Sequence, residues 1–169
     1  MRVAYVCADP GVPVFGSKGC SIHVREVIDA LRRAHAKVEL FAARFDGNRP
    51  DDWDNVVIHA LPSPPKGNPA AREVAAMAAN AALTEKLTGR GSFDFVYERY
   101  SLWSHAAMDL ARARQIPGIL EVNAPLVHEQ AAHRTLVHRD AARENAVRLF
   151  STATAVLAVS DAVADYVLS

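Results

Sequence analysis

Short apolar runs alternate along the chain with longer stretches in which apolar residues recur every three or four positions. Residues 2–8 form an apolar run bounded by Asp9-Pro10-Gly11, the pattern of a short buried strand. A loop over 10–19 follows, carrying Gly11, Gly16 and Gly19. A helix is expected from about Ser21, because Val24, Val27, Ile28 and Leu31 share one face while Arg25, Asp29, Arg32 and Arg33 lie elsewhere. Residues 38–42 and 55–61 predict the second and third strands. Pro62, Pro64, Pro65 and Pro69 make the next connector irregular, since proline neither donates to a ladder nor continues a helix. Residues 70–88 predict an alanine-rich helix stopped by Gly89, a residue suited to a left-handed C-terminal turn. Strand four is expected at 93–98, and a helix capped by Ser101 then runs to about Arg114. Strand five is expected at 119–122, one long helix from Pro125 to about Phe150, strand six at 155–159, and a final helix capped by Ser160.

Six apolar strands alternating with helices predict an α/β fold: a Rossmann-like, doubly wound parallel sheet with helices on both faces. Its crossovers should be right-handed, and any ligand should lie at the carboxyl ends of the strands. A length of 169 residues suits a single domain, 1–169. Half of the residues are hydrophobic and 22% are charged, which supplies a packed core and excludes global disorder. Nineteen basic residues balance nineteen acidic ones, which argues against a nucleic-acid partner held by a broad basic surface. The longest run free of Asp, Glu, Lys and Arg is twelve residues, 149–160, against roughly 20 for a bilayer span. There is no secretory leader pattern, and two cysteines, Cys7 and Cys20, make no disulfide framework, so a cytoplasmic location is expected.

The loop after the first strand carries the strongest candidate chemistry. Gly16-Ser17-Lys18-Gly19 lies between a strand and a helix N-terminus. Glycines let a ligand approach the backbone, free amides point outward, and the helix dipole favours an anion. The spacing of Gly11, Gly16 and Gly19 is not that of a dinucleotide fingerprint. The order Ser17-Lys18 reverses what a P-loop requires after its second glycine. His128-Glu129 with His133 is one residue too long for a zinc-protease helix, so no metal site is expected; His128, His133 and His138 read as helix-surface groups. Glu98-Arg99-Tyr100 and Glu121-Val122-Asn123 end strands four and five at the edge where ligands bind. Arg99 can hold a phosphate or carboxylate in bidentate fashion, and Asn123 offers a donor and an acceptor suited to sugar hydroxyls. Trp53 and Trp103 read as packing residues. Arg134, Arg139, Arg143 and Arg148 give the long helix a basic side, which leaves open a weak membrane-surface contact at the inner face.

The block Gly16 to Val24, followed by Val38 to Arg44, resembles the opening of a family 4 glycosyltransferase of the GT-B fold. Val96-Tyr97-Glu98-Arg99-Tyr100-Ser101, Ile119 to Pro125 and Val156 to Ser160 resemble later blocks of the same family, so the likeness spans almost the whole chain. The resemblance implies two Rossmann-like domains facing across a cleft, of which this chain is the N-terminal, acceptor-side one. The C-terminal donor-binding domain would then lie outside the chain. It also implies transfer of a sugar from a nucleotide-sugar donor to an acceptor, with retention of configuration, without a metal or other cofactor, and with these residues inactive alone. Carried over, Gly16, Ser17, Lys18 and Gly19 would bind the donor phosphates, and Asn123 and Arg99 would be catalytic. Asp9, His23, Tyr100 and Glu129 would bind the acceptor or sugar. Asn123 stands where many members have histidine, and His35-Ala36 stands where many have Gly-His after the first helix. Glu121 and Glu129 share the spacing of the family's paired glutamates by coincidence, because that pair belongs to the donor domain. The competing expectation is a stand-alone, non-catalytic Rossmann-like module that binds a small anion or a partner protein.

Overall fold

Val3, Ala4, Tyr5, Val6 and Cys7 are all fully buried, as expected of a strand apolar on both faces. This strand, β1 (Arg2–Cys7), is central in the computed structural model, which describes residues 1–169. The others are β2 (Lys37–Ala42), β3 (Val57–Ala60), β4 (Phe95–Arg99), β5 (Gly118–Val122) and β6 (Ala155–Ala158). They form one sheet in the order β3-β2-β1-β4-β5-β6, with every neighbouring pair parallel. The helices are α1 (Gly19–Arg33), α2 (Pro69–Thr88), α3 (Ala106–Ala113), α4 (Leu126–His133), α5 (Arg139–Thr152) and α6 (Asp161–Leu168). The Rossmann-like doubly wound fold is therefore present, and the winding reverses between β1 and β4.

Two hydrophobic layers hold the sheet. On one face Val24 and Ile28 of α1 pack on Val3, Tyr5, Val38, Leu40 and Tyr97. The connection from β2 to β3 has no helix; Trp53 and Val56 fill this layer instead, and Trp53 donates to Asp29 of α1 at 2.8 Å. The other face carries Leu83 and Leu87 of α2, Met108 of α3 and Leu149 of α5 against Val6, Val96 and Leu120. Burial of this kind supplies the stabilising term, at about 25 cal/mol per Å² of apolar surface.

Four local expectations are corrected. The single long helix is two, α4 and α5, with Arg134 in extended conformation between them. The break is fixed by Glu73 of α2, which accepts the amides of Val137 at 3.0 Å and His138 at 2.8 Å and also binds His138 Nδ1 at 2.8 Å. Second, the helix after β4 starts at Ala106, not behind Ser101. Asn80 of α2 accepts the His105 and Ala106 amides at 2.8 and 3.1 Å and donates to the Trp103 carbonyl; Asn145 of α5 donates to the carbonyls of Leu102 and Ser104. Side chains from two other helices thus satisfy a loop that would otherwise have wound into helix. Third, Gly89 is right-handed at φ −69°, and the left-handed residue there is Gly91 at φ 80°. Fourth, α1 begins at Gly19, two residues before Ser21.

After α1 the left-handed residue is His35 at φ 61°, and the Ala36 amide reaches the Leu31 carbonyl at 3.0 Å. This is a Schellman turn made without glycine. Ser160 caps α6 by accepting the Val163 amide, as its sequence predicts. No helix is long and apolar enough to cross a membrane.

Candidate functional site

The carboxyl ends of β1 to β5 open into a cleft of about 900 Å³, closed at the sides by α2 and α4. The loop after β1 contributes Asp9, the end of β4 contributes Arg99, and α4 contributes Glu129. Arg44, Arg72 and Arg134 add positive charge around the opening. This is the crevice that reversal of winding creates, because the loops after β1 and β4 depart to opposite faces.

Beside it lies a polar cluster organised by Glu121 of β5, which is 3% exposed. The Tyr97 hydroxyl donates to Oε2 at 2.6 Å. Arg99 Nη1 donates to Oε1 at 2.9 Å, and His23 Nε2 of α1 meets the same oxygen at 2.9 Å. Register explains the assembly, since Arg99 stands directly opposite Glu121 and the Tyr97 side chain lies one pleat away on the same face. Burial alone would raise the Glu121 pKa, but the donors gathered on it, Tyr97 and His23 among them, outweigh burial and hold the carboxyl below its usual range. Burial and the neighbouring carboxylate push the Tyr97 phenol up, so it stays protonated and donates.

The opposite face of β4 presents a different carboxyl. Glu98 is fully buried, accepts from Ser104 Oγ at 2.5 Å and has one oxygen without a partner. Burial pushes its pKa up to about 7. Ser104 lines the cleft, so this carboxyl stands directly behind the cleft wall.

The loop after β1 is anchored by Arg25, which donates to the carbonyls of Val14 and Gly16 at 2.8 and 2.7 Å. Gly16 fits where a side chain would not, since an added Cβ would stand 2.9 Å from Pro13 Cγ and 3.1 Å from the Pro13 carbonyl oxygen. Ser17, Lys18 and Gly19 are exposed. Lys18 precedes α1 without making a side-chain cap, and the Gly19 and Cys20 amides have no acceptor within the chain. These residues lie outside the lining of the large cleft; His23, one turn further along α1, is the link from this helix to Arg99 through Glu121.

Of the other expected site residues, Asp9, Arg99 and Glu129 line the cleft. Asn123 is half-buried beside Glu121, and its Oδ1 has no partner. Tyr100 is corrected: it is 3% exposed, sits in the core against Phe150, and its hydroxyl lies 3.3 Å from that of Tyr166. Alternation along β4 turns its side chain away from Arg99. His128 packs on Tyr166, and His138 is bound to Glu73. No group of three or more His, Cys, Asp or Glu is placed to hold a metal ion. Cys7 is buried, with its thiol pushed up to about 12 by burial, and is no nucleophile. Glu121, which the sequence placed at the ligand-binding edge without giving it a role, organises the site; the signal for that role was a charged residue inside an otherwise apolar strand, one that a parallel sheet buries only when paired.

Comparison with known proteins places these features. The family model described as "Glycosyl transferase 4-like domain" matches residues 18–169. No curated protein sequence matches the chain significantly. Among solved structures, sucrose-phosphate synthase from Thermosynechococcus elongatus superposes at a TM-score of 0.60 and 17% identity, covering 92% of this chain and 41% of that one. The UDP-GlcNAc 2-epimerase from Methanocaldococcus jannaschii gives 0.59 at 12% identity, covering 99% and 42%. MurG from Acinetobacter baumannii gives 0.51 at 16% identity, covering 94% and 41%. The chain thus spans about two fifths of the length of these three proteins.

Proposed function

The chain belongs to the glycosyl transferase 4-like domain family, and on that premise we propose that it forms the acceptor-side half of a nucleotide-sugar-dependent glycosyltransferase that retains anomeric configuration without a metal. One observation carries this reading: a cleft of about 900 Å³ at the switch point of the sheet, with Arg99 held at its wall by Glu121 and with Asp9 and Glu129 facing in.

In the proposed complete enzyme a second domain grips the donor and closes against this edge. Closure places donor and acceptor together, an effect that lowers a barrier by about 7–11 kcal/mol when alignment is good. The free amides of Gly19 and Cys20 and the exposed Lys18 suit the negative charge that grows on a leaving diphosphate. Arg99 is neutralised by Glu121 in the resting site, so it serves an orienting role at the wall more than it supplies net charge.

The test is transfer from sugar nucleotides. The 169-residue chain alone should show no enzyme-like turnover. When the domain is paired with a donor-binding domain, Arg99→Ala and Asn123→Ala should each lower kcat by about 10²-fold, the size of effect typical of lost transition-state hydrogen bonds. Wild-type kcat in both variants would overturn the assignment.

A further inference from the structure

Trp53 and Trp103 are the two tryptophans of the chain, and the fold gives them opposite surroundings. Trp53 is the packing residue its sequence suggests: it is fully buried, and its indole donates to Asp29. Trp103 is half-buried. It packs on the core layer of α2 and α3, yet it also lines the cleft, and its indole Nε1–H has no acceptor within the chain. It stands in residues 101–105, between β4 and α3, where no helix or strand sets the backbone. Side chains from other elements set it instead. Asn80 of α2 donates to the Trp103 carbonyl at 2.8 Å and accepts the His105 amide at 2.8 Å. Asn145 of α5 donates to the Leu102 and Ser104 carbonyls at 2.9 and 3.1 Å, and Ser104 Oγ donates to the buried Glu98 at 2.5 Å. A backbone held on both sides of a residue leaves a ligand little ordering to impose there. The wall around Trp103 is apolar. Ala76 and Leu83 lie one turn to either side of Asn80 on the cleft side of α2, and Leu102 adjoins Trp103 in the chain.

We propose that Trp103 is a ligand platform: its indole receives an apolar group, an aromatic ring or an alkyl chain, carried by the molecule that enters the cleft. That this molecule is the sugar acceptor rests on the glycosyltransferase reading; the platform itself does not. An apolar group laid on the indole removes surface of both from water, and an aromatic ring adds offset stacking. The free Nε1–H can serve an oxygen at the edge of the same group. The cleft also carries Asp9, Arg99 and Glu129, which offer polar partners to the rest of the ligand. A small sugar without an apolar group gains little from this wall.

Proton–nitrogen correlation spectra of the full chain show one indole signal per tryptophan, two in all. The spectrum of Trp103→Phe identifies the Trp103 signal by its loss. If that variant does not fold, exchange into D2O separates the two signals, because the Trp53 Nε1–H is buried and bonded whereas that of Trp103 has no partner. Titration with phenyl β-D-glucopyranoside, and with octyl β-D-glucopyranoside below its micelle concentration, should shift the Trp103 signal and leave that of Trp53 in place. D-glucose should need a concentration at least about 10-fold higher for the same shift. The glycoside that binds more tightly tells an aromatic ligand from an alkyl one. Trp103→Ala, followed through the backbone amides of the cleft, should weaken binding of that glycoside about 10-fold. Glycosides that move neither indole signal, that move both alike, or that bind no more tightly than D-glucose would overturn the platform. So would a folded Trp103→Ala chain of unchanged affinity. No step of this test needs turnover: a failed platform leaves the transferase reading to other acceptors, and absence of glycosyl transfer leaves the platform standing.

Discussion

The Tyr97 hydroxyl donates to Glu121 Oε2 at 2.6 Å across two neighbouring strands, and the same carboxylate receives Arg99 and His23 on its other oxygen. A buried carboxylate is tolerated here because its lone pairs are filled by donors. The cluster joins α1, β4 and β5 at the rim of the cleft.

Tyr97→Phe removes one charge-assisted hydrogen bond without changing the stacking on Tyr5, whose ring centroid lies 5.2 Å away. Loss of a bond to a charged acceptor costs about 1.5–3 kcal/mol. The folded-state pKa of Glu121 is depressed, so the stability it contributes is present above the unfolded carboxylate range and is lost as pH falls. Urea unfolding at neutral pH should show the variant less stable by this amount, and the deficit should shrink on acidification. An unchanged midpoint would show that this bond contributes nothing net.

Glu98 gives the opposite sign. Its folded pKa is raised to about 7 from 4.5, so between those values the folded state keeps a proton that the unfolded chain has released. Stability therefore falls as pH rises through that window, by a few kcal/mol, and is flat above it. Glu98→Gln removes this term. The stability of Glu98→Gln relative to wild type should rise between pH 5 and pH 7 by about 1–3 kcal/mol. Parallel pH profiles for the two proteins would exclude an ionising Glu98.

Gly16 and Gly19 should part company. An alanine Cβ at Gly16 meets Pro13 Cγ at 2.9 Å and the Pro13 carbonyl oxygen at 3.1 Å, and neither a proline ring nor a backbone oxygen can swing aside. Gly16→Ala should cost about 1–3 kcal/mol. A Cβ at Gly19 meets nothing within 4 Å at the first helical position of α1, so Gly19→Ala should be neutral or stabilising by up to about 1 kcal/mol. Thermal unfolding of the two variants decides, and equal effects would contradict the packing argument.

Glu73→Ala should loosen the start of α5. Glu73 accepts the Val137 and His138 amides in place of a local cap, since His138 makes no side-chain cap of its own. Its removal leaves those amides without their partner at a cost of about 1–3 kcal/mol. Hydrogen exchange should accelerate at residues 137–142 more than in β1. Uniform acceleration across the chain would mean that the carboxylate supports the whole fold instead.

The alternation of apolar runs and amphipathic stretches was enough to specify six parallel strands, the helices between them and the edge at which a site lies, because a strand covered on both faces must be apolar throughout. Ser160 could be read as a cap because its partner, Val163, lies in the same turn. Where the partners come from elsewhere, local pattern fails. Residues 101–105 and 134–138 look helical until Asn80, Asn145 and Glu73, far away in sequence, take their backbone groups. The same holds for Tyr100, whose position at a strand end marked it for the cleft and whose pleat turned it into the core. Glu121 shows the limit most clearly. A carboxylate in a strand declares nothing by itself; only pairing of β4 with β5 and docking of α1 bring Tyr97, Arg99 and His23 to it. Periodic burial is encoded by neighbours in the chain, whereas the hydrogen-bond partners of a buried polar group are chosen by folding in three dimensions.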